Sequence, residues 1–191
     1  MEAPDAGDIT QALRASLDGD SDAVENLYGL VYADLKRLAG FQHRRSPDAV
    51  TLTPTGLVNE AFLRLVNYSN ADWGDRNHFF AVASKAMRQV VVDECRRRLA
   101  EKRGGGAVHE DIDAIEVPIE RRAEAVLAVN EALDELRTEN EKLAGVVECR
   151  FFAGLTEEET AQATGLSLRS VQRYWQQARG LLRERLEDDF G

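Results

Sequence analysis

Arg169, Arg173 and Gln176 recur at intervals of four and three residues, with Ser170 and Gln177 beside them, inside a proline-free stretch patterned as one helix. That spacing lines their side chains along a single helical face. Arginine and glutamine make paired hydrogen bonds to base edges in the major groove, so this face is suited to reading duplex DNA rather than to breaking bonds. Val171, Trp175, Ala178 and Leu182 make the opposite, apolar stripe, which must pack inward.

The segment just before this helix has the residues needed to hold it. Thr156 and Glu159 form a T-x-x-E capping box that opens a shorter helix, with Ala161 expected on its inner face and Gly165 at the turn. Ser167 then caps the second helix. A small residue, a turn glycine and a buried valine at offsets of four and six are what two closely crossing helices require, and together they predict a helix-turn-helix. The competing reading is an ordinary surface helix pair with a solvated arginine face.

Composition narrows the classes. The chain has 191 residues, is 43% hydrophobic and has only four prolines, which predicts an all-α protein of one large or two small domains. Cys95 and Cys149 lie far apart inside apolar helical patterns, and His43, His78 and His109 are scattered. No zinc site follows from that arrangement, and no cofactor is expected; buried thiols in a reducing compartment are. Neither a signal peptide nor a bilayer-length apolar run is legible, so a cytoplasmic protein without membrane contact is expected. No Walker loop, G-x-S-x-G or H-E-x-x-H occurs, and the glycines of KRGGG follow a helix instead of preceding one, so an enzyme is not expected.

A formal net charge of -10 sits awkwardly with DNA binding until its distribution is considered. Lys85, Arg88, Arg96, Arg97, Arg98, Lys102 and Arg103 cluster on one helix, and Arg169, Arg173, Arg179, Arg183 and Arg185 on the last. Acids gather near the start and between Glu110 and Glu120. Two basic patches on an acidic body suit a protein that binds DNA weakly alone and relies on a larger partner for affinity.

Periodicity orders the rest. Ile9, Leu13 and Leu17 mark a first helix, and a second starts at Asp20 or Ser21 with the stripe Ala23, Leu27, Leu30, Val31, Leu35 and Leu38, ending near Gln42. Thr53-Pro54 opens a third, with Leu57, Val58, Ala61, Phe62 and Leu65 inward and Asn59, Glu60 and Arg64 outward. A loop from Asn67 to Arg76 precedes a helix from about Asn77 to Glu101, on the order of 35 Å long. Gly104 to Gly106 stop it, and an aperiodic acidic segment follows. The expected division is a domain over 1–103, a linker over 104–120 and a second domain over 121–191, whose stripes include Ala125, Leu127, Val129, Leu133 and Leu136, then Leu143, Val146, Val147, Phe151 and Phe152.

TPTGLVNEAFLRL at 53–65, DWGDRNHFFAVASKAMRQVVVDECRRR at 72–98, KRGGG at 102–106 and LTEEETAQATGLSLRSVQRYWQQARGLLRERL at 155–186 together resemble the extracytoplasmic-function (ECF) sigma factors of the sigma-70 superfamily. The likeness runs from Ile9 to Leu186 and departs at Tyr174, where a small or acidic residue is expected, and at Asn59, where Gln or His is usual. It implies a four-helix sigma-2 domain and a sigma-4 helix-turn-helix domain, which bind core RNA polymerase and direct promoter recognition and melting. Leu57, Asn59, Glu60 and Arg64 would then fall on the surface that docks on the beta-prime clamp helices, although the spacing equally fits a core helix with a wet side. The beta flap is a second implied polymerase contact, and an anti-sigma factor is a further partner the resemblance allows.

By the same resemblance the segment from Trp73 to Arg98 captures the -10 element as a melted strand. Trp73, His78, Phe79 and Phe80 would supply rings, Arg76, Lys85, Arg88 and Arg96 charge, and Gln89 a hydrogen bond to a base. Core packing competes for these rings, Phe80 first among them. Arg169, Ser170, Arg173, Gln176 and Gln177 would meet the -35 element, and the acidic linker would be a polyanion mimic in a polymerase channel or a solvated spacer. The rival function is a helix-turn-helix regulator that binds duplex DNA without polymerase, usually as a dimer on half-sites.

Overall fold

Apolar stripes uninterrupted by proline become helices throughout the computed structural model, which describes residues 9, 11–12, 15–16, 21–45, 52–67, 76–104 and 119–190, without the side chains of 67, 76–77, 102–104, 119–121 and 185–190. No strand occurs among the described residues. The loop holding Trp73 and most of the acidic linker lie outside them, as do Leu13 and Leu17.

Helix α1, Ser21–Arg45, carries Asp22 in its first turn and His43, Arg44 and Arg45 in its last, matching the sign of the helix dipole at each end. Its buried stripe follows the predicted one, except that Leu30 is only half-buried and Ala39 and Gln42 extend the stripe. Helix α2, Pro54–Asn67, starts with proline in the first turn, while the Thr53 hydroxyl accepts from the Gly56 amide at 3.1 Å. Leu57, Val58, Ala61, Phe62 and Leu65 are buried, as the spacing predicts.

Helix α3, Arg76–Gly104, is the axis of the molecule. Phe79, Ala83, Met87 and Val90 are buried, and so are Ser84, Arg88, Val92 and Cys95, so apolar and polar residues alike are covered around much of its circumference. The reason is that α1 and α2 cover one side and the C-terminal helices cover the other.

Those helices are α4, Ile119–Glu139, and α5, Glu141–Val147, which Asn140 caps by accepting from the Leu143 amide at 3.1 Å. In α4 the buried positions are Ala123, Val126, Val129, Leu133 and Leu136, and the expected Ala125 and Leu127 are only half-buried. A π-helical turn, Glu148–Phe152, follows without a break and is closed by the Ala153 amide donating to the Glu148 carbonyl at 3.2 Å. Helix α6 is Glu157–Thr164 and α7 is Leu168–Phe190. The sequence divides the chain into two domains; in this structure the apolar faces of both groups of helices meet in one continuous core.

Candidate nucleic-acid interface

The capping box at the start of α6 is complete: the Thr156 hydroxyl accepts from the Glu159 amide at 3.1 Å, and the Glu159 carboxylate accepts from the Thr156 amide at 2.8 Å. Gly165 ends the helix in the left-handed region at φ 67°, with the Leu166 amide returning to the Ala161 carbonyl at 3.1 Å. Ser167 then caps α7 by accepting from the Ser170 amide at 3.2 Å. One expectation shifts: Thr160 is the fully buried residue of α6, and Ala161 is half-buried beside it.

Val171, Ala178 and Leu182 are buried on α7, and Trp175 is half-buried under the Arg150 guanidinium, 5.4 Å from its ring centroid. Arg169, Arg173, Gln176 and Gln177 are exposed along the other face. Ser170 is half-buried and shares a hydrogen bond with Ser167 at 2.8 Å, so it helps seat the helix start. The Arg173 guanidinium lies 5.1 Å from the Tyr174 ring centroid, close enough for a cation–π contact that limits its rotamers. Gln172 donates to Glu157 at 2.9 Å and ties the two helices of the motif together.

On α3, His78, Lys85, Gln89 and Arg96 follow one another at intervals of seven, four and seven residues and so share a face. Lys85, Gln89 and Arg96 are exposed, His78 is half-buried, and Arg76 opens the helix with its side chain outside the described residues. Lys85, Gln89 and Arg96 of this row border a cleft of about 340 Å³ between α3 and α4, whose lining also includes Arg88 and Arg137.

Arg88 is placed differently from its neighbours. It is 8% exposed, with its guanidinium bonded to Asn130 and Asp134 of α4 and to Glu148 of the π turn. The resemblance groups Arg88 with the cations that meet the -10 strand, whereas here three polar residues 42 to 60 positions away cover it. The two phenylalanines also exchange roles: Phe79 is fully buried and Phe80 is half-buried with the Arg37 guanidinium 5.8 Å from its ring.

On α2, Asn59 and Glu60 are exposed, and Arg64 is partly so. Asn59 accepts from the Tyr28 hydroxyl at 2.8 Å, and Arg64 pairs with Asp93 of α3 at 2.9 Å, so both are held by neighbouring helices. Leu57 is fully buried and offers no surface here; it supports the ridge from below. The exposed apolar residue is Leu63, at 56%. It follows Asn59 by four and Glu60 by three, so all three share a face. A leucine out of phase with the 57/58/61/62/65 stripe is the sequence signal that marks it.

Both cysteines are buried and neither is in a disulfide, and burial is the leading cause that pushes each thiol up to about 12. They stay neutral in the folded chain where they would ionise once unfolded, so this contribution to stability is complete below the usual thiol value of 9.0 and is lost as pH climbs toward 12. We expect neither to react with a colorimetric thiol reagent at pH 8 in the native protein, and both to react in guanidinium. Rapid labelling of either native thiol would contradict its burial.

The ECF sigma factor family model matches residues 6–188. The chain belongs to the ECF sigma factor family. As a sigma factor it binds core RNA polymerase and promoter DNA, and the family is one of promoter-recognition subunits, not of enzymes. Among solved structures the chain is similar to that titled "Structure of CnrH in complex with the cytosolic domain of CnrY", with 20% identity over 95% of this chain and 99% of that one and a TM-score of 0.40. No curated protein matches this sigma factor. Among its described residues no helix is long and apolar enough to cross a membrane.

Proposed function

We propose that this sigma factor divides its work between three surfaces. The α7 row of Arg169, Arg173, Gln176 and Gln177, positioned by Ser170, reads the -35 element as duplex. The α3 row of His78, Lys85, Gln89 and Arg96, with Arg76, Arg88 and Trp73, holds the -10 element as single strand. The α2 face of Asn59, Glu60 and Leu63 docks on the beta-prime clamp helices, with Leu57 and Arg64 fixing its shape. In this reading residues 1–103 and 121–191 are domains that separate on polymerase, the second touching the beta flap. The protein works in the cytoplasm without catalysis of its own, and an anti-sigma factor is a further partner that family membership allows.

The observation that carries this reading is the α7 row: long polar side chains left exposed on one face while Val171, Ala178 and Leu182 are buried on the other, with α6 started by a complete capping box and α7 by a serine cap. A reader of base edges needs that rigidity, because loosely held side chains cannot discriminate geometry. The test is promoter-dependent transcription with purified core polymerase, run beside Glu60→Lys/Leu63→Ser. These two side chains are exposed, so helical content should not change, while affinity for core should fall at least about tenfold. Wild-type affinity in the double variant would remove docking from this face.

A further inference from the structure

The geometry points to a binding site for a small organic acid, an anionic head on a compact hydrocarbon body, in a second cleft of about 260 Å³ where α3, α5, the π turn and α6 meet. The cleft exists because the side chains facing it are short. Ala81 of α3, Gly145 of α5 and Ala163 of α6 leave a hollow that Cys149 and Leu166 help to line. Gly145 opens it furthest: a Cβ added there would meet only the Thr164 methyl carbon, at 4.0 Å.

Charge in the lining favours an anion. Three cations, Lys85, Arg137 and Lys142, stand against two carboxylates, Glu141 and Glu148, on a chain whose formal net charge is -10. These charges are not equally available. Glu148 is 3% exposed and already paired with Arg88 and Arg137, so that carboxylate and the Arg137 charge are answered within the protein. Lys85 and Lys142 are exposed, and neither has an ion-pair partner among the described residues. Two ammonium groups on flexible stems act as point charges, which suits a carboxylate or a phosphate at the cleft mouth.

Beneath the lysines the cleft has little to offer a polar body. Thr164 already donates its hydroxyl to the Thr160 carbonyl at 2.6 Å, and the Leu166 amide donates to the Ala161 carbonyl at 3.1 Å. Burial pushes the Cys149 thiol up to about 12, so it meets a ligand as a small neutral hydrophobe. With those donors committed, the sugar hydroxyls and ring nitrogens of a nucleotide would lose water here without gaining hydrogen bonds. A single aromatic ring or a short acyl chain gains from the same transfer. The volume falls just below the roughly 300 Å³ at which pockets for drug-sized ligands begin, which limits the body to about one ring.

Ligand-observed NMR titration of the full chain, without DNA or polymerase, tests the site independently of the promoter assignments. Phenyl phosphate and phenylacetate carry the two kinds of head on one ring. At least one should bind with a Kd on the order of 1 mM or tighter, as befits a ligand of about ten non-hydrogen atoms. Inorganic phosphate and acetate lack the ring, benzyl alcohol lacks the charge, and adenosine monophosphate has the wrong body; each should bind at least about tenfold more weakly. Lys142→Gln should weaken the ring acids about tenfold. Gly145→Leu should remove their binding while helical content is kept, since leucine fills the hollow and is the better helix former. No binding of either ring acid overturns the proposal. Equal binding of inorganic and phenyl phosphate reduces the site to surface charge and overturns it too, as does wild-type affinity in Gly145→Leu. Should that variant not fold, Lys142→Gln decides alone, because an exposed lysine without an ion-pair partner can be replaced without disturbing the core, and wild-type affinity there overturns the anionic head.

Discussion

Arg173→Ala should weaken binding of the holoenzyme to its preferred -35 sequence by roughly 1–3 kcal/mol, about 5- to 150-fold. Arg173 is exposed one turn beyond Arg169 on α7, opposite buried Val171 and Ala178, so the apolar stripe fixes the direction in which its guanidinium points. The Tyr174 ring 5.1 Å away narrows its rotamers further and lowers the entropy lost when a bidentate pair with guanine forms. The decisive measurement is affinity across a set of -35 variants. A base contact costs most on the preferred sequence and little on the others, so specificity flattens at one position. An equal loss on every sequence would instead make Arg173 a phosphate contact. Gln176→Ala, one turn further along the same exposed face, should flatten specificity at a neighbouring position by a smaller amount.

How much of this was legible in sequence depends on how local each interaction is. The capping box, the Gly165 turn and the Ser167 cap involve residues at most a few positions apart, and all form as the spacing predicts. Helix bounds follow for the same reason, since Pro54 and Ser21 mark starts by local chemistry. What periodicity could not supply is which covered face belongs to which neighbour. The tilt of the α4 stripe, burying Ala123 and Val126 in place of Ala125 and Leu127, is set by packing on α3. Phe79 and Phe80 are adjacent aromatics of equal hydrophobicity, so only the placement of the other helices decides that the first is buried. Arg88 is the extreme case: nothing within a turn of it in sequence announces that Asn130, Asp134 and Glu148 converge on it. The π turn escaped for a related reason, because ECRFF has the composition of ordinary helix and widens where its carbonyls meet Gln42.

Trp73→Ala combined with Gln89→Ala should lower open-complex formation by at least about tenfold, since loss of base stacking alone is worth roughly 1–3 kcal/mol per base. Gln89 is exposed between Lys85 and Arg96 on the same face of α3, four residues from one and seven from the other, so an amide able to hydrogen-bond a base lies between two cations able to hold the flanking phosphates. Duplex binding has no use for that arrangement, because paired bases present only their edges, whereas a melted strand presents ring faces and Watson–Crick groups together. The variant should therefore assemble holoenzyme and form closed complexes near wild-type levels. Permanganate reactivity of thymines around the start site reads the melting step directly. A template with a pre-melted bubble supplies the opening in advance and should restore much of the lost transcription. Unchanged thymine reactivity in the variant would take melting away from these two residues, and failure of the bubble to rescue would move the defect to an earlier step, before strands separate.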